Sequence, residues 1–280
     1  MVSLKNFFLL LRISHWSKAI FVLLGVIYFD QPGYWLKALI AALSFCLIAS
    51  AVYIYNDLKD IDEDKFHPQK SQRPLANGKV SIEFAWYTLI FLLLSGFAIA
   101  FALSNKLSVI LGIYLLINFF YNYWLRKIPI FDVLCVASGF FLRILAGTIG
   151  IGLPLTWWLT ITATLFSLFI ALNKRRLEMR LQVDTNRAVL KKYNPRVLDL
   201  LIGFTALSCF LTYLIYIVSV HHELFYFLLT LPFAALGLGR FIWLTNKSIE
   251  HDDPVSLFFN DPLSRLNLVC FFTLTLLALV

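Results

Sequence analysis

The sequence predicts an all-α protein, a polytopic membrane bundle of about nine transmembrane helices in a single domain covering residues 1–280. Hydrophobic residues make up 60% of the chain and charged residues only 14%, which is far more apolar than a soluble domain. Apolar segments of about 20 residues, the length that crosses a bilayer, recur along it. We place the spans at 16–30, 34–54, 83–103, 107–123, 129–150, 155–173, 197–220, 224–244 and 263–280.

Three segments outside the core of these spans bear on function: the N-terminal lead and two loops. The first span is short, and the amphipathic lead from Phe7 to Trp16 is expected to lie along the membrane interface, without the small-residue cleavage site of a signal peptide. The second span runs directly into an acid-rich loop at 55–82, and the sixth runs into the largest loop, at 174–196. These two loops contain most of the candidate functional residues.

The basic residues predict the orientation in the membrane. All but three of the 24 Lys and Arg residues fall before the first span or in loops on that same side; Lys37 and Lys106 lie on the other side and Arg143 lies within a span. The positive-inside rule therefore predicts a cytoplasmic N-terminus and an outer C-terminus in the cell (inner) membrane, with any active site facing the cytoplasm. Anionic membrane lipids are the expected partners of most of these basic residues.

Five acids occur within eight residues immediately after the second span, at 57–64. On a helix, Asn56, Asp57, Asp60 and Asp64 fall within an arc of about 100°, while Asp62 points the opposite way. A few hard oxygen ligands at one point suit Mg²⁺ that is shared with a phosphorylated substrate. A solvated acidic helix end is the alternative that spacing leaves open.

Two groups of cations accompany the acids. Lys70 and Arg73 follow in the same loop, where Pro68, Pro74 and Gly78 give the backbone a fixed path. A phosphate gripped by Mg²⁺ needs such cations, although topological or salt-bridging roles remain open for them. The second group begins at Lys174 and Arg175 and predicts a site for several phosphates; a helical ion pair of Lys174 with a residue four positions later is the alternative.

The cysteine spacing and the missing motifs exclude several classes of enzyme and binding protein. The four cysteines lie inside apolar segments without C-x-x-C spacing, so we interpret them as small buried hydrophobes. The sequence has no nucleophile elbow, no Walker loop and no dinucleotide fingerprint, and no nucleic-acid partner is expected.

Arg143, a cation within a span, is expected to face the bundle interior, and its depth favours a structural role.

The pattern Asn56-Asp57-x-x-Asp60-x-x-x-Asp64, followed by Arg73-Pro74-Leu75-x-x-Gly78, resembles the UbiA superfamily of intramembrane prenyltransferases. Within that superfamily the chain is most similar to the decaprenyl-phosphate phosphoribosyltransferases. The motifs that carry this closer resemblance are His67-Pro68-x-Lys70-x-x-Arg73-Pro74-Leu75-Ala76-x-Gly78, Trp16-x-Lys18, Tyr121-x-x-x-Leu125-Arg126 leading to Asp132, Phe141-Leu142-Arg143-x-x-Ala146-Gly147, and Lys174-Arg175-x-x-Glu178.

The resemblance implies a nine-helix bundle with a cytosol-facing site that transfers 5-phosphoribose from phosphoribosyl pyrophosphate to a polyprenyl phosphate and releases pyrophosphate. Mg²⁺ is the implied cofactor, bound by Asn56 together with the three catalytic carboxylates Asp57, Asp60 and Asp64. Substrate phosphates are assigned to Lys18, Lys70, Arg73, Tyr121, Arg126, Lys127, Lys174 and Arg175. Lipid length, cell-wall or other downstream pathway, and a homo-oligomeric state are left open.

Two departures bear on the substrate. Aromatic prenyltransferases of the superfamily carry a second Asp-rich motif after the sixth span, where this chain has the basic segment 173–178. A cationic wall suits two substrates that both bring phosphate, which favours phosphoribosyl transfer over a 4-hydroxybenzoate-type polyprenyltransferase. Arg126 stands where this subfamily is expected to have Lys, which keeps the charge and changes its geometry. A membrane transporter is the remote alternative. Transport normally needs polar groups near the midplane of the membrane, whereas almost all the acids of this chain are predicted to lie at one face.

Overall fold

In the computed structural model of the protein, residues 3–29, 31–66, 70–181, 189–220, 224–248 and 253–279 are described, and every regular element among them is helical. The all-α prediction is therefore confirmed. Helices occur in the described part of each of the nine predicted segments. The α-helices are α1 Leu4–Leu11, α2 Ile20–Phe29, α3 Trp35–Lys59, α4 Ile61–Lys65, α5 Ile82–Leu103, α6 Asn105–Tyr123, α7 Phe131–Ala146, α8 Trp157–Leu181, α9 Pro195–Val220, α10 Leu224–Lys247, α11 Pro254–Asn260 and α12 Pro262–Leu279.

Length and composition identify fewer than nine candidate spans among the described residues. Within the described ranges, six helical stretches are long and apolar enough to cross a membrane: Trp35–Lys59, Ile82–Leu103, Asn105–Tyr123, Phe131–Ile151, Pro195–Ser219 and Phe227–Lys247. The bent pair Leu4–Leu11 and Ile13–Ile27 makes a seventh if it acts as one span. The predicted sixth and ninth spans are helical but fall outside this set. The protein is a multi-pass membrane protein, and the count of nine is not confirmed.

The first of two compact units comprises residues 1–122 and 142–154. Its centre is α3, which packs most extensively against α5 and also contacts α2 and α1. The core around α3 contains Ala38, Phe45 and Ile48, whose side chains are almost fully removed from solvent. Ser81 caps α5 by accepting a hydrogen bond from the Phe84 amide at 3.2 Å, a common start for a helix after a polar loop.

One helix crossing in this unit requires glycine. A Cβ added to Gly147, which follows α7, would lie 1.6 Å from the carbonyl oxygen of Val22 on α2. A Cβ added to Gly25, one turn further along α2, would lie 2.1 Å from the carbonyl oxygen of Gly147. Small residues let helices in membranes approach backbone to backbone, where dispersion is strongest. The close approach of α2 to the end of α7 therefore depends on these two glycines.

The second unit comprises residues 123–141 and 155–280. In it α8 packs against α9, and α10 packs against α12. Arg240 of α10 holds Asp261 with two hydrogen bonds, and Asp261 also accepts one from the Ser264 amide at 2.9 Å, which caps α12. The Arg240 hydrogen bond lowers the pKa of Asp261 to about 2. This loop carboxylate is therefore ionised at neutral pH and fixes the start of the last helix.

Candidate functional site

The acidic cluster lies in the first unit, where α3 gives way to α4. Helix α3 ends at Lys59, and Asp60 has φ −98° and ψ 13°, so the single continuous helix assumed from spacing is interrupted there. The sides on which the acids lie still follow that spacing. Asp57 and Asp64 are buried, whereas the Asp62 side chain is 92% exposed and lies 2.9 Å from Nζ of Lys65.

Two guanidinium groups bind the buried acids. Nη1 of Arg73 lies 3.1 Å from Oδ1 of Asp57 and 2.6 Å from Oδ2 of Asp64. A second arginine, Arg12, also donates to Oδ1 of Asp57. The two carboxylates therefore converge on one positively charged nitrogen. Sequence reasoning missed Arg12 as a site residue, because 45 positions separate it from Asp57 and its neighbours suggested only an interfacial helix.

The amide of Asn56 is fixed by a different neighbour. Asn122 near the end of α6 donates from Nδ2 to Oδ1 of Asn56. Lys59 donates from Nζ to the backbone carbonyl of Asn122 at 2.8 Å, so two residues of α3 hold the same asparagine. These contacts tie the end of α3 to the end of α6. The sequence motifs did not indicate Asn122, because it is not one of their specified residues and its uncharged amide is not by itself a sign of a functional site.

Burial also changes the acidity of the cluster. Loss of water raises the pKa of Asp64 above its usual range; the charges of Arg73 and Lys70 oppose that rise, and the charge of Asp57 adds to it. A carboxylate in this position is ionised most readily when a cation is close. The site is thus built to hold positive charge against Asp57 and Asp64.

These residues fit a divalent cation in their chemistry. Carboxylate oxygens and an amide oxygen are the hard ligands that Mg²⁺ takes, and it usually keeps several waters and substrate phosphates as its other ligands. Convergence of Asp57 and Asp64 on one nitrogen shows that a single cation reaches both. In the part of the chain that the structure describes, no three His, Cys, Asp or Glu side chains are arranged as a complete metal site. The carboxylate and amide oxygens thus fit a cation that also takes substrate phosphate oxygens as ligands.

The other predicted residues of the first unit lie on three different helical elements. Lys18 is buried in the 3-10 segment Ile13–Ala19, with Nζ 3.1 Å from Nδ1 of His15. Lys70 is half-buried in a single 3-10 turn that leads to Arg73. Tyr121 is half-buried near the end of α6, next to Asn122. Each is on an ordered helical element, and their assignment to substrate phosphates stays a prediction.

The second unit holds the remaining basic residues. Arg126 and Lys127 form a 3-10 turn, Leu125–Lys127, with Arg126 half-buried and Lys127 exposed. Lys174 on α8 is half-buried, and its Nζ lies 4.0 Å from Oε1 of Glu178, which is the helical ion pair that the sequence left open. Their assignment to substrate phosphates likewise stays a prediction.

Arg175 lies in a different environment from its neighbour Lys174. Its side chain is 0% exposed, and its Nε lies 2.7 Å from Oδ2 of Asp132 at the start of α7, a residue that is also fully buried. Its Nη1 donates to Oε2 of Glu178 one turn later on α8. Arg175 thus joins α8 to α7 through Asp132 and also pairs with Glu178 within α8. Contact with a substrate phosphate would require it to exchange one of them.

Arg143 packs inside the first unit, as its depth within a span suggested. Its guanidinium carbon lies 4.6 Å from the ring centroid of Phe45 on α3 and 5.4 Å from that of Tyr114 on α6. Aromatic faces stabilise a desolvated guanidinium through their quadrupoles. This placement supports the structural role.

The fold and these residues identify the class. The chain belongs to the UbiA prenyltransferase family, to which residues 19–261 match. Decaprenyl-phosphate phosphoribosyltransferase of Corynebacterium glutamicum is 30% identical over 214 residues, which cover 72% of this chain and 64% of that protein. The protein of the same name from Mycolicibacterium smegmatis is 31% identical over 163 residues, 58% of this chain and 51% of that one. The chain therefore spans about half to two thirds of the length of these relatives.

Solved structures share the fold at lower identity. A UbiA homologue from Archaeoglobus fulgidus bound to DMAPP and Mg²⁺ has a TM-score of 0.75 and 18% identity, over 96% of this chain and 99% of that one. The apo UbiA homologue from Aeropyrum pernix K1 has a TM-score of 0.67 and 13% identity, over the full length of both chains. These likenesses establish the UbiA fold.

Proposed function

We propose that this protein transfers 5-phosphoribose from phosphoribosyl pyrophosphate to a polyprenyl phosphate and releases pyrophosphate. The observation that carries the proposal is the pair of buried carboxylates, Asp57 and Asp64, that converge on one cationic nitrogen. The relatives named decaprenyl-phosphate phosphoribosyltransferase support the choice of substrates, and the Mg²⁺ in a neighbour of the same fold supports the choice of cation.

The proposed chemistry is substitution at the anomeric carbon. A bond forms between that carbon and an oxygen of the lipid phosphate, and the bond to the pyrophosphate oxygen breaks with its electron pair leaving on pyrophosphate. Bound Mg²⁺ would neutralise the charge that grows on this leaving group. Asp57, Asp60 and Asp64, with the amide oxygen of Asn56, are the residues that would hold it. The attacking phosphate is already an anion, so no general base is required.

The basic residues have a separate task, because both substrates are anionic and repel each other. In the first unit Lys18, Lys70 and Arg73 would reduce that repulsion, and Tyr121 would donate a hydrogen bond to a phosphate oxygen. In the second unit the corresponding residues are Arg126, Lys127 and Lys174, with Arg175 assigned only if it exchanges a carboxylate for phosphate. Positioned cations of this kind lower the barrier by fixing the approach of the two reactants.

The deciding experiment is a transfer assay with purified protein in detergent. Labelled phosphoribosyl pyrophosphate, Mg²⁺ and a panel of polyprenyl phosphates should give a labelled lipid and free pyrophosphate. Prenyl diphosphate with 4-hydroxybenzoate should give no product, and EDTA should abolish the phosphoribosyl transfer until Mg²⁺ is restored. Prenylation of 4-hydroxybenzoate without phosphoribosyl transfer would refute the proposal in favour of the aromatic prenyltransferase.

Alanine variants of the acids supply a matched comparison within one loop. Asp57→Ala, Asp60→Ala and Asp64→Ala should each lower turnover at least about a hundredfold, since each removes a ligand of the cation. Asp62→Ala should be mild, because this residue is 92% exposed. An equal loss at Asp62 would mean that general charge, and not ligation, accounts for the effect.

A further inference from the structure

The N-terminal segment is attached to the same face of α3 as the acidic cluster. Trp16 donates from Nε1 to Oγ of Ser50 at 3.0 Å, and Ser50 donates in turn to the carbonyl of Leu11 at 2.8 Å. Seven residues beyond Ser50, two helical turns, the same α3 face presents Asp57 to Arg12. The segment therefore reaches the cluster at one end and is anchored two turns away.

Arg12 is held in place by its backbone and by a ring. It is one of two non-glycine residues with positive φ among the described residues, at 50°. A non-glycine residue in the left-handed region is strained, and it persists where surrounding contacts determine the backbone. The guanidinium carbon lies 4.9 Å from the ring centroid of Tyr53, one turn before Asp57. Arg12 is thus a fixed cation, 20% exposed, against a carboxylate that is 2% exposed.

The charges of the cluster are largely compensated by the chain itself. Arg12 and Arg73 bring two positive charges to Asp57 and Asp64, and Lys70 also acts on Asp64. A cation that binds these acids must therefore overcome repulsion from arginines already in contact with them. A diphosphate anion that arrives with the cation would offset this repulsion.

We propose that Arg12 is a positioning residue that makes divalent-cation binding depend on the diphosphate substrate. Its charge would keep the acids weak toward the free cation, and its contact engages one oxygen of Asp57, a residue that would hold the cation when diphosphate is bound. The inference deepens the proposed function and rests on it. It assigns a role to a residue outside the Asp-rich motif.

Substitutions of Arg12 separate its charge from its contacts. Arg12→Gln keeps a hydrogen-bond donor but removes the charge, and Arg12→Lys keeps the charge. Arg176→Ala is the matched control, since Arg176 pairs with a carboxylate, Asp199, at 2.6 Å in the second unit. Equilibrium dialysis of the full chain in detergent against Mn²⁺, with and without pyrophosphate, measures the bound metal without any turnover.

The wild-type protein should bind Mn²⁺ weakly alone, and pyrophosphate should tighten that binding at least about tenfold. Arg12→Gln should bind Mn²⁺ alone roughly tenfold more tightly than the wild type, because a repulsive charge is lost, and pyrophosphate should then add less. Arg12→Lys and Arg176→Ala should resemble the wild type. A loss of fold cannot imitate this result, since it would weaken metal binding.

Unchanged or weaker Mn²⁺ binding by Arg12→Gln, with the wild-type response to pyrophosphate intact, would overturn the inference and leave the proposed function standing. Absence of Mn²⁺ binding by the wild type even with pyrophosphate would overturn both. A turnover defect in Arg12→Gln that Arg12→Lys restores, with a raised KM for the diphosphate substrate, would agree with the inference.

Discussion

The buried arginine of α8 offers the sharpest test of how the second unit is built. Arg175→Ala removes a side chain that is 0% exposed and leaves Asp132, also 0% exposed, without this cation, together with Glu178, whose side chain is 10% exposed. Breaking a buried ion pair by removing one partner costs about 3–5 kcal/mol, because a charge stays buried without its counter-ion. For a chain of this size that loss corresponds to a fall of about 6 °C or more in the midpoint of thermal unfolding.

The assay is thermal unfolding of the purified protein in detergent, followed by intrinsic fluorescence. Arg176→Ala is the control from the next position, because its ion pair with Asp199 is partly exposed and should contribute less than about 1 kcal/mol. A double variant with Asp132→Ala should be more stable than the sum of the two single changes predicts, since it removes both charges of the Arg175–Asp132 pair.

Kinetics on the same variants separate structure from substrate binding. If Arg175 acts through Asp132 and Glu178, folded Arg175→Ala should lose stability while the KM for both substrates changes little. A raised KM of about tenfold or more, with stability within about 1 kcal/mol of the wild type, would refute the structural reasoning and support the phosphate assignment made from sequence.

Three further expectations follow from other parts of the chain. Gly147→Ala should destabilise the first unit by about 1–3 kcal/mol or more, because the added methyl meets a backbone carbonyl at 1.6 Å, whereas Gly203→Ala, with nothing within 4 Å, should be neutral or stabilising in a thermal unfolding assay. In a background without native cysteines, Lys79→Cys should react with an impermeant thiol reagent from the cytoplasmic side and Lys106→Cys from the outer side; the reverse would disprove the orientation. Asp261→Asn should lower stability at neutral pH, because the native pKa of about 2 lies below the ordinary 3.8; this difference should fade as pH falls through 3.8 toward 2.

Spacing along one helix face was enough to separate the acids. The positions of Asp57, Asp64 and Asp62 relative to one another are set by about 3.6 residues per turn, and the break at Asp60 is too small to change which side each occupies. For the same reason the all-helical membrane class followed from composition and segment length. Both are local properties, so a single sequence contains them.

Long-range pairing required the tertiary structure. The contact of Arg12 with Asp57 joins residues 45 positions apart, and the pairing of Arg175 with Asp132 depends on how α7 meets α8. A basic residue near a predicted phosphate site has the same sequence whether it binds phosphate or a neighbouring carboxylate. What the sequence by itself determined was the class of protein, its apolar segments and the acidic motif; which cations lie against which acids was decided by packing, because charge pairing depends on distance in space and not along the chain.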